Sequence, residues 1–444
     1  MVPVPTHRLL GLVLLAALVA AVAGPLPALT VLWVVLLLAV ALTALADLAA
    51  SVRGADVVSV SLPDVVRFAK DRPGQVGVTF QNLSEAGRRV RFALGLPAIF
   101  DSEQEETWVD LPAGTKLARI EWTTTPLARG RYPTVLVCLE HASKLGFWNL
   151  RSRRTVSCEL RVYPNLFTER KQLAALFLAR GQFGAKLQRT VGRGRDFEKL
   201  RDYLPGDGYD EIHWKATAKR GRPITKVFQA ERTQEIYLVI DASRLSARQV
   251  VHEGVAQTAL ERYLTAALVL LLAAERQGDR FGMLVYDDRV RLYLRAGYGD
   301  AHYRACREAI HGLQPSEGTP DMAEIVRYLR LQLRRRALLF FLTDLTDPVL
   351  AEDFARYGGL LARQHLVMVN QLRDAEVAPL FSSGPVEDST EIYGKIAGHA
   401  RWQEAQALAR TLRPLGISAQ LLDDETMAAQ LVTQYLTVKR RQLL

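Results

Sequence analysis

The chain has 444 residues, 49% apolar and 23% charged, with a formal net charge of +10. That length suits two to four domains, and the composition excludes a disordered or collagen-like chain. Three cysteines, Cys138, Cys158 and Cys306, show no CxxC or Cys/His spacing, which indicates neither a zinc site nor a disulfide framework.

Cys138 and Cys158 both fall in strand-like runs and could pair, but small buried apolar residues are the better reading. The charge is uneven. Residues 144–232 hold 20 Lys and Arg against 9 Asp and Glu, a net of +11, so the rest of the chain sums to about −1. A patch of that sign suits an anionic partner, whether nucleic acid, acidic lipid or an acidic protein face. It also suits a solvated face that only keeps the protein soluble.

Between residues 9 and 46 nothing is charged, a run of about 38, where one spanning helix needs ~20. "GPLP" at 24–27 interrupts it, and Pro and Gly break helices. Two spans, 9–24 and 28–47, are therefore expected. Arg8 precedes the first, and Arg53, Arg67, Lys70 and Arg72 follow the second. The positive-inside rule then places both ends in the cytoplasm, at a bacterial inner membrane, with the soluble domains on that side. The rival reading is a signal peptide cleaved after Ala21–Ala23, against which stand Pro25 and the second apolar run.

Residues 53–165 read as β: "DVVSVSLP", "QVGVTFQN", "RRVRFALGLP" and "PTVLVCLE" alternate or run in β-branched residues between Pro, Gly and Asn. A small immunoglobulin-like sandwich that spaces or docks is expected. A helix, "LFTERKQLAALFLAR", opens 166–190, and a basic, glycine-containing stretch follows over 181–232.

From 235 onward strands and helices alternate: "EIYLVID", a long helix over about 247–276, "RFGMLVYDD", "VRLYLRAG", two helices, "ALLFFLTDL", "HLVMVNQL" and "ISAQLLD". This predicts a parallel, doubly wound α/β sheet, which binds ligands at the carboxyl ends of its strands. The expected domains are a two-helix transmembrane hairpin (1–51), the β-sandwich (52–165), a helical and basic linker (166–232) and the α/β domain (233–444).

Two of these strands end in polar clusters, "VIDASRLS" and "FFLTDLTDP", with "PSEGTPDM" between them. Their carboxylates and hydroxyls are hard ligands suited to Mg²⁺ or Mn²⁺. Alternatively, Asp241 and Asp344 cap the helices that follow. A strand ending in D-x-S, then "GDRFGMLVYDD", "EGT" and a strand ending in "TD" resembles the von Willebrand factor A fold, a Rossmann-like architecture. The resemblance implies a metal-ion-dependent adhesion site at Asp241, Ser243, Thr319 and Asp344, with Asp344 reaching the ion through water and a partner carboxylate completing it. The second serine of that motif is Leu245 here, and Ser246 comes one residue late.

The run "LRDYLPGDGYDEIHWKATAK" narrows the resemblance to the domain-of-unknown-function family 58. Its signature positions are Arg201, Tyr203, Pro205, Gly206, Asp207, Ile212, His213, Trp214, Lys215, Thr217, Ala218 and Lys219. Family resemblance implies a membrane-anchored adaptor that works with a MoxR-type AAA+ ATPase, with no established chemistry.

Three readings of the stretch compete. As a docking element or internal glue, "PGD" turns the chain, Trp214 buries its ring, and Lys215, Lys219, Arg220 and Arg222 face outward; Arg201 and Asp207 would pair. As a metal-dependent hydrolase of cell-envelope material, Asp207, Asp210 and His213 would form the site, yet no GxSxG, HExxH or Walker A sequence occurs, and "GRGRD" at 192–196 only echoes a phosphate loop. As a nucleic-acid patch, Tyr203 and Trp214 would stack on bases, but a membrane tether argues against it. The sequence thus points to a non-enzymatic interaction protein.

Overall fold

The computed structural model describes residues 1–23, 27–52, 58–82, 87–112, 117–179, 191–205, 208–229, 234–252, 255–382 and 389–441. It divides into two compact units, Met1–Asn165 and Leu166–Leu444.

In the first unit a short strand β1 (Val2–Pro5) precedes two apolar helices, α1 (His7–Ala23) and α2 (Pro27–Val52). Strands β2 (Val58–Ser61), β3 (Val65–Ala69), β4 (Gly74–Asn82), β5 (Arg88–Gly95), β6 (Phe100–Asp101), β7 (Thr107–Leu111), β8 (Ala118–Pro126), β9 (Gly130–Ala142) and β10 (Trp148–Tyr163) follow. One sheet runs β1-β10-β9-β5-β7 with β3 also on β10, and the other runs β2-β4-β8-β6. Alternating residues such as Val76, Val78 and Phe80 point inward, as a half-buried sheet requires. Across the two sheets Phe92 meets Phe80 at 5.0 Å and Trp122 at 5.5 Å, both edge-on. Two sheets thus enclose one apolar core. Cys138 and Cys158 are free thiols, and burial pushes the Cys158 thiol up to about 11.

Within α2 the segment Trp33–Val52 is long and apolar enough to cross a membrane, with mean hydropathy 2.3; His7–Ala21 is a shorter apolar helix. The C-terminal end of α2 is bonded to the turn between β9 and β10. Asp47, buried, accepts the Ser143 hydroxyl at 2.5 Å and the Leu145 N–H at 2.9 Å. Ser51 Oγ accepts the Lys144 N–H at 3.1 Å, and Trp148 Nε1 donates to the Ala44 carbonyl at 2.8 Å. At the start of α1, β1 adds antiparallel to β10, from Val2 opposite Arg151 to Pro5 opposite Trp148.

The second unit opens with α3 (Phe167–Ala179). Strand β11 (Val191–Asp202) pairs antiparallel with β12 (Ile224–Gln229) around a short helix α4 (Trp214–Arg220). Part of the stretch read as a linker is thus a hairpin. Then come β13 (Glu235–Asp241), β14 (Gln249–His252), β15 (Val255–Thr258), α5 (Ala259–Arg276), β16 (Arg280–Tyr286) and β17 (Val290–Gly297). The chain continues through α6 (Gly299–Ile310), α7 (Met322–Gln332), β18 (Leu338–Leu342), α8 (Pro348–Ala362), β19 (Leu366–Arg373), α9 (Ser389–Leu412), β20 (Ile417–Asp423) and α10 (Met427–Arg440).

The sheet order is β17-β16-β13-β18-β19-β20, parallel except for the antiparallel edge strand β17. Ile236, Leu238 and Ile240 of β13 face one core with α5, α6 and α10; Tyr237 and Val239 face the other with α7 and α8. Covered on both sides, β13 and β18 are continuous apolar runs.

One helix boundary differs from expectation. The helix read over about 247–276 begins only at Ala259, because Gln249–His252 and Val255–Thr258 before it pair as β14 and β15. Its start carries the T-x-x-E capping-box pattern, and Thr258 Oγ1 accepts the Glu261 N–H at 3.4 Å.

Arg262 of α5 is buried, and its Nε donates to Asp424 Oδ1 at 2.7 Å while Nη1 donates to the buried Glu169 of α3 at 3.2 Å. Removing the guanidinium would leave the buried Glu169 carboxylate without this partner, a change that typically costs ~3–5 kcal/mol. Arg262→Ala is therefore expected to lower the urea midpoint sharply. Adding Glu169→Ala should restore part of the loss; equal midpoints for Arg262→Ala and wild type would refute the role of the triad.

Candidate functional site at the strand ends and the signature helix

Register builds the rim. Ile240 of β13 lies opposite Leu342 of β18, so the next residues, Asp241 and Thr343, leave the sheet side by side. Asp241 has no exposed surface. Its Oδ2 accepts the Thr343 hydroxyl at 2.8 Å and its Oδ1 accepts the Ser243 N–H at 2.9 Å. Burial pushes its carboxyl above the ordinary range, the bonds from Ser243 and Thr343 pull it down, and the neighbouring Asp344 charge adds to the rise. The phenol of buried Tyr263 is pushed up by burial and then by the charge of Asp344, with Asp241 adding to the rise. The two aspartates thus share one rim.

Neither caps the helix that follows. Asp344 Oδ1 accepts the N–H of Thr346 at 3.0 Å and its hydroxyl at 2.7 Å. The caps are Asp347 on α8 and Asp321 on α7. Ser243 Oγ accepts the Leu245 N–H at 3.3 Å and starts a short 3-10 turn, Arg244–Ala247. Ser246 turns back on its own backbone, donating to the Ser243 carbonyl at 2.8 Å, and Leu245 packs on the apolar cluster beneath the sheet. Thr319 is brought in by its loop, where Ser316 N–H donates to the Ala242 carbonyl at 2.8 Å and Arg244 N–H to that of Gly318 at 3.1 Å.

Two arginines, unremarked in the sequence, close this rim. Arg244 Nε donates to Thr319 Oγ1 at 3.3 Å. Arg248 directs Nε at Asp344 Oδ2, 3.6 Å away, pairs through Nη1 with Asp374, and donates from Nη2 to the Leu372 carbonyl at 3.0 Å. Mg²⁺ demands near-octahedral oxygen ligation. Here one hydroxyl position is a leucine, one hydroxyl holds a guanidinium, and the outer carboxylate faces another. The four residues converge, but as arranged they do not fit a divalent ion. Among the described residues, no three His, Cys, Asp or Glu are grouped to hold one.

The signature stretch folds around α4. His213 caps it, Nδ1 accepting the Ala216 N–H at 3.0 Å. Thr217 Oγ1 accepts the Ile224 N–H at 3.0 Å, tying the helix to β12. Gly221 ends it in the left-handed region at φ 67°, where only glycine is unstrained. Ile212 and Ile224 are buried beneath it. Tyr203 N–H donates to the Pro223 carbonyl at 3.1 Å, its ring stacks on Tyr209 at 6.5 Å, and Asp202 pairs with Arg222 at 3.1 Å. Pro205 sits at the turn. Gly206 and Asp207 lie outside the described residues, and with them the expected Arg201–Asp207 pair and the Asp207/Asp210/His213 cluster.

The expected burial of Trp214 is overturned. The residue is 68% exposed, because α4 is short and its inner contacts are made by Ile212, Thr217 and Ile224. Tyr209 is 78% exposed, and Leu204, Lys215, Lys219 and Arg220 are also on the surface.

The strand order and the antiparallel edge strand are those of a von Willebrand A-like α/β domain. Residues 199–393 match the family described as "Protein of unknown function DUF58", and this part of the chain is a DUF58 domain. An uncharacterized protein of Mycobacterium bovis, Mb1516, is 24% identical over 205 residues, 46% of this chain and 62% of that protein. The chain thus spans less than two thirds of the curated relatives it matches. Among solved structures, conserved hypothetical protein BatB from Bacteroides thetaiotaomicron is 16% identical, covering 47% of this chain and 99% of its own, at a TM-score of 0.32. The SpRpn10 VWA domain is 10% identical, covering 46% and 95%, at 0.29.

An exposed aromatic contributes little to folding, and Trp214→Ala is expected to shift stability by no more than about 0.5 kcal/mol. A chemical-denaturation loss of ~3–5 kcal/mol would instead place the ring in a core.

Proposed function

We propose that this chain is a non-enzymatic, membrane-anchored interaction protein whose DUF58 domain docks an acidic face of a partner, a MoxR-type AAA+ ATPase being the partner that family resemblance suggests. One observation carries the reading: α4 is capped and tied down, and it exposes Trp214 together with Lys215, Lys219 and Arg220 of the same helix, while Tyr209 and Leu204 just before it are exposed too. Large aromatics beside cations are the composition of binding hot spots, and the basic excess favours an acidic partner surface through steering and complementarity. The polar groups of the rim are engaged with one another, and His213 Nδ1 serves as a helix cap. That arrangement supports recognition rather than turnover.

The anchor is read as two crossings. Residues before α1 and after α2 belong to the same sandwich, since β1 pairs with β10. Chain ends held in one folded body lie on one side of a bilayer, so the helices between them cross an even number of times. Retention of β1 in the sheet also opposes cleavage after Ala21–Ala23. Arg8, Arg67, Lys70 and Arg72 favour the cytoplasmic side, which supports reading the soluble parts as lying at the inner face of a bacterial inner membrane.

Capture of a MoxR-type ATPase by the full chain in detergent is expected to fall roughly tenfold in Trp214→Ala/Tyr209→Ala, as loss of a hot spot entails. Undiminished capture would overturn this docking surface. In inverted inner-membrane vesicles, protease should reach an N-terminal tag and the β-sandwich together. Protection of one with digestion of the other would refute the paired crossing.

A further inference from the structure

In a metal-dependent adhesion site the cation neutralises the strand-end carboxylates and offers one position to an incoming anion. At this rim positive charge is already present. Arg248 follows the 3-10 turn Arg244–Ala247, and its side chain is 26% exposed. It is held from three directions: by Asp374, by the Leu372 carbonyl, and by the Asp344 carboxylate 3.6 Å from Nε. That Nε is buried and makes no hydrogen bond, so the contact with Asp344 is an ion pair across a short gap. Asp374 is shared with Arg401 at 3.7 Å, so guanidinium groups from two elements meet that carboxylate. On the opposite side Arg244, which is exposed, takes the Thr319 hydroxyl.

We propose that the chain supplies its own cation at this site: the Arg248 and Arg244 guanidiniums stand where a von Willebrand A-like domain would hold a divalent ion, so the rim is closed to metal and takes a carboxylate ligand directly. A doubly charged ion placed among these donors would meet like charge from both arginines and would find Leu245 where a hydroxyl should be. Guanidinium is also suited to the role chemically, because its planar fork matches a carboxylate and never loses its proton at physiological pH. The second half of the proposal, a carboxylate ligand, rests on the docking function above; the first half does not.

The probes are Mg²⁺ and Mn²⁺ alone, titrated into the full chain in detergent and read by the melting temperature and by the Mn²⁺ paramagnetic resonance signal. No saturable response is expected up to the millimolar range, the weak end of biological divalent sites. A saturable rise in melting temperature, reversed by chelator, would overturn the inference while leaving the docking role of Trp214 untouched. Arg248→Gln/Leu245→Ser removes the resident charge and restores the missing hydroxyl, and is expected to gain Mn²⁺ binding by roughly tenfold or more. If that variant does not fold, Arg244→Gln/Leu245→Ser, changed at an exposed and a half-buried position, serves in its place. A folded variant that binds no more Mn²⁺ than wild type would refute the idea that guanidinium groups exclude the ion.

Discussion

A carboxylate with no access to water governs the α/β unit. Asp241 terminates the central strand, and an unpaired buried carboxylate is costly. Its two oxygens are met by the Thr343 hydroxyl and the Ser243 N–H. The first donor requires β18 beside β13 in one register, since a slip of one residue would turn Thr343 to the other face. The second requires the tight turn into Arg244–Ala247, which in turn receives the loop carrying Thr319 through two backbone bonds. Satisfying one acid thus positions three segments that are distant in sequence, and the rim is what they form together.

The signature helix follows a different logic. Its most polar residues do local work: a histidine caps, a threonine holds the next strand, and a glycine permits the left-handed exit. Only after those bonds are made do the aromatic and basic residues have a fixed direction to face. Seven helical residues have no independent stability in water, so a surface built this way keeps its shape because its ends are fastened. The region of basic excess is correspondingly mixed. Some of its arginines are paired within the β-sandwich, as Arg151 is with Glu140 and Arg161 with Glu159, while Lys215 and Lys219 beside Trp214 lie on the surface.

Much of this was legible in the sequence. Uninterrupted apolar runs such as "EIYLVID" and "ALLFFL" are readable because a strand covered on both faces has no polar alternation, and D-x-S followed later by T-D marks the rim. Thr343 of that T-D pair bonds Asp241, and the loop carrying Thr319 is bonded to the turn that follows Asp241. What could not be read were relations across long separations. Arg248 and Asp374 are far apart in the chain, and nothing local announces their pairing. Arg244 looks like an ordinary loop cation until Thr319 is set beside it. Two errors had local remedies. The Thr258–Glu261 box marks where α5 begins, and Gly221 shortly after Trp214 marks a helix too short to bury a large ring.

The bonds from Asp47, Ser51 and Trp148 bear on mechanics as well as on stability. A helix that leaves a bilayer usually joins its soluble neighbour through a swivel, and thermal tumbling of one is lost on the other. Here the last turns of α2 are stitched to the 143–148 turn through carboxylate, hydroxyl, indole and amide together. Any tilt of α2 would therefore be delivered to the 143–148 turn and β10 as rotation, without slack.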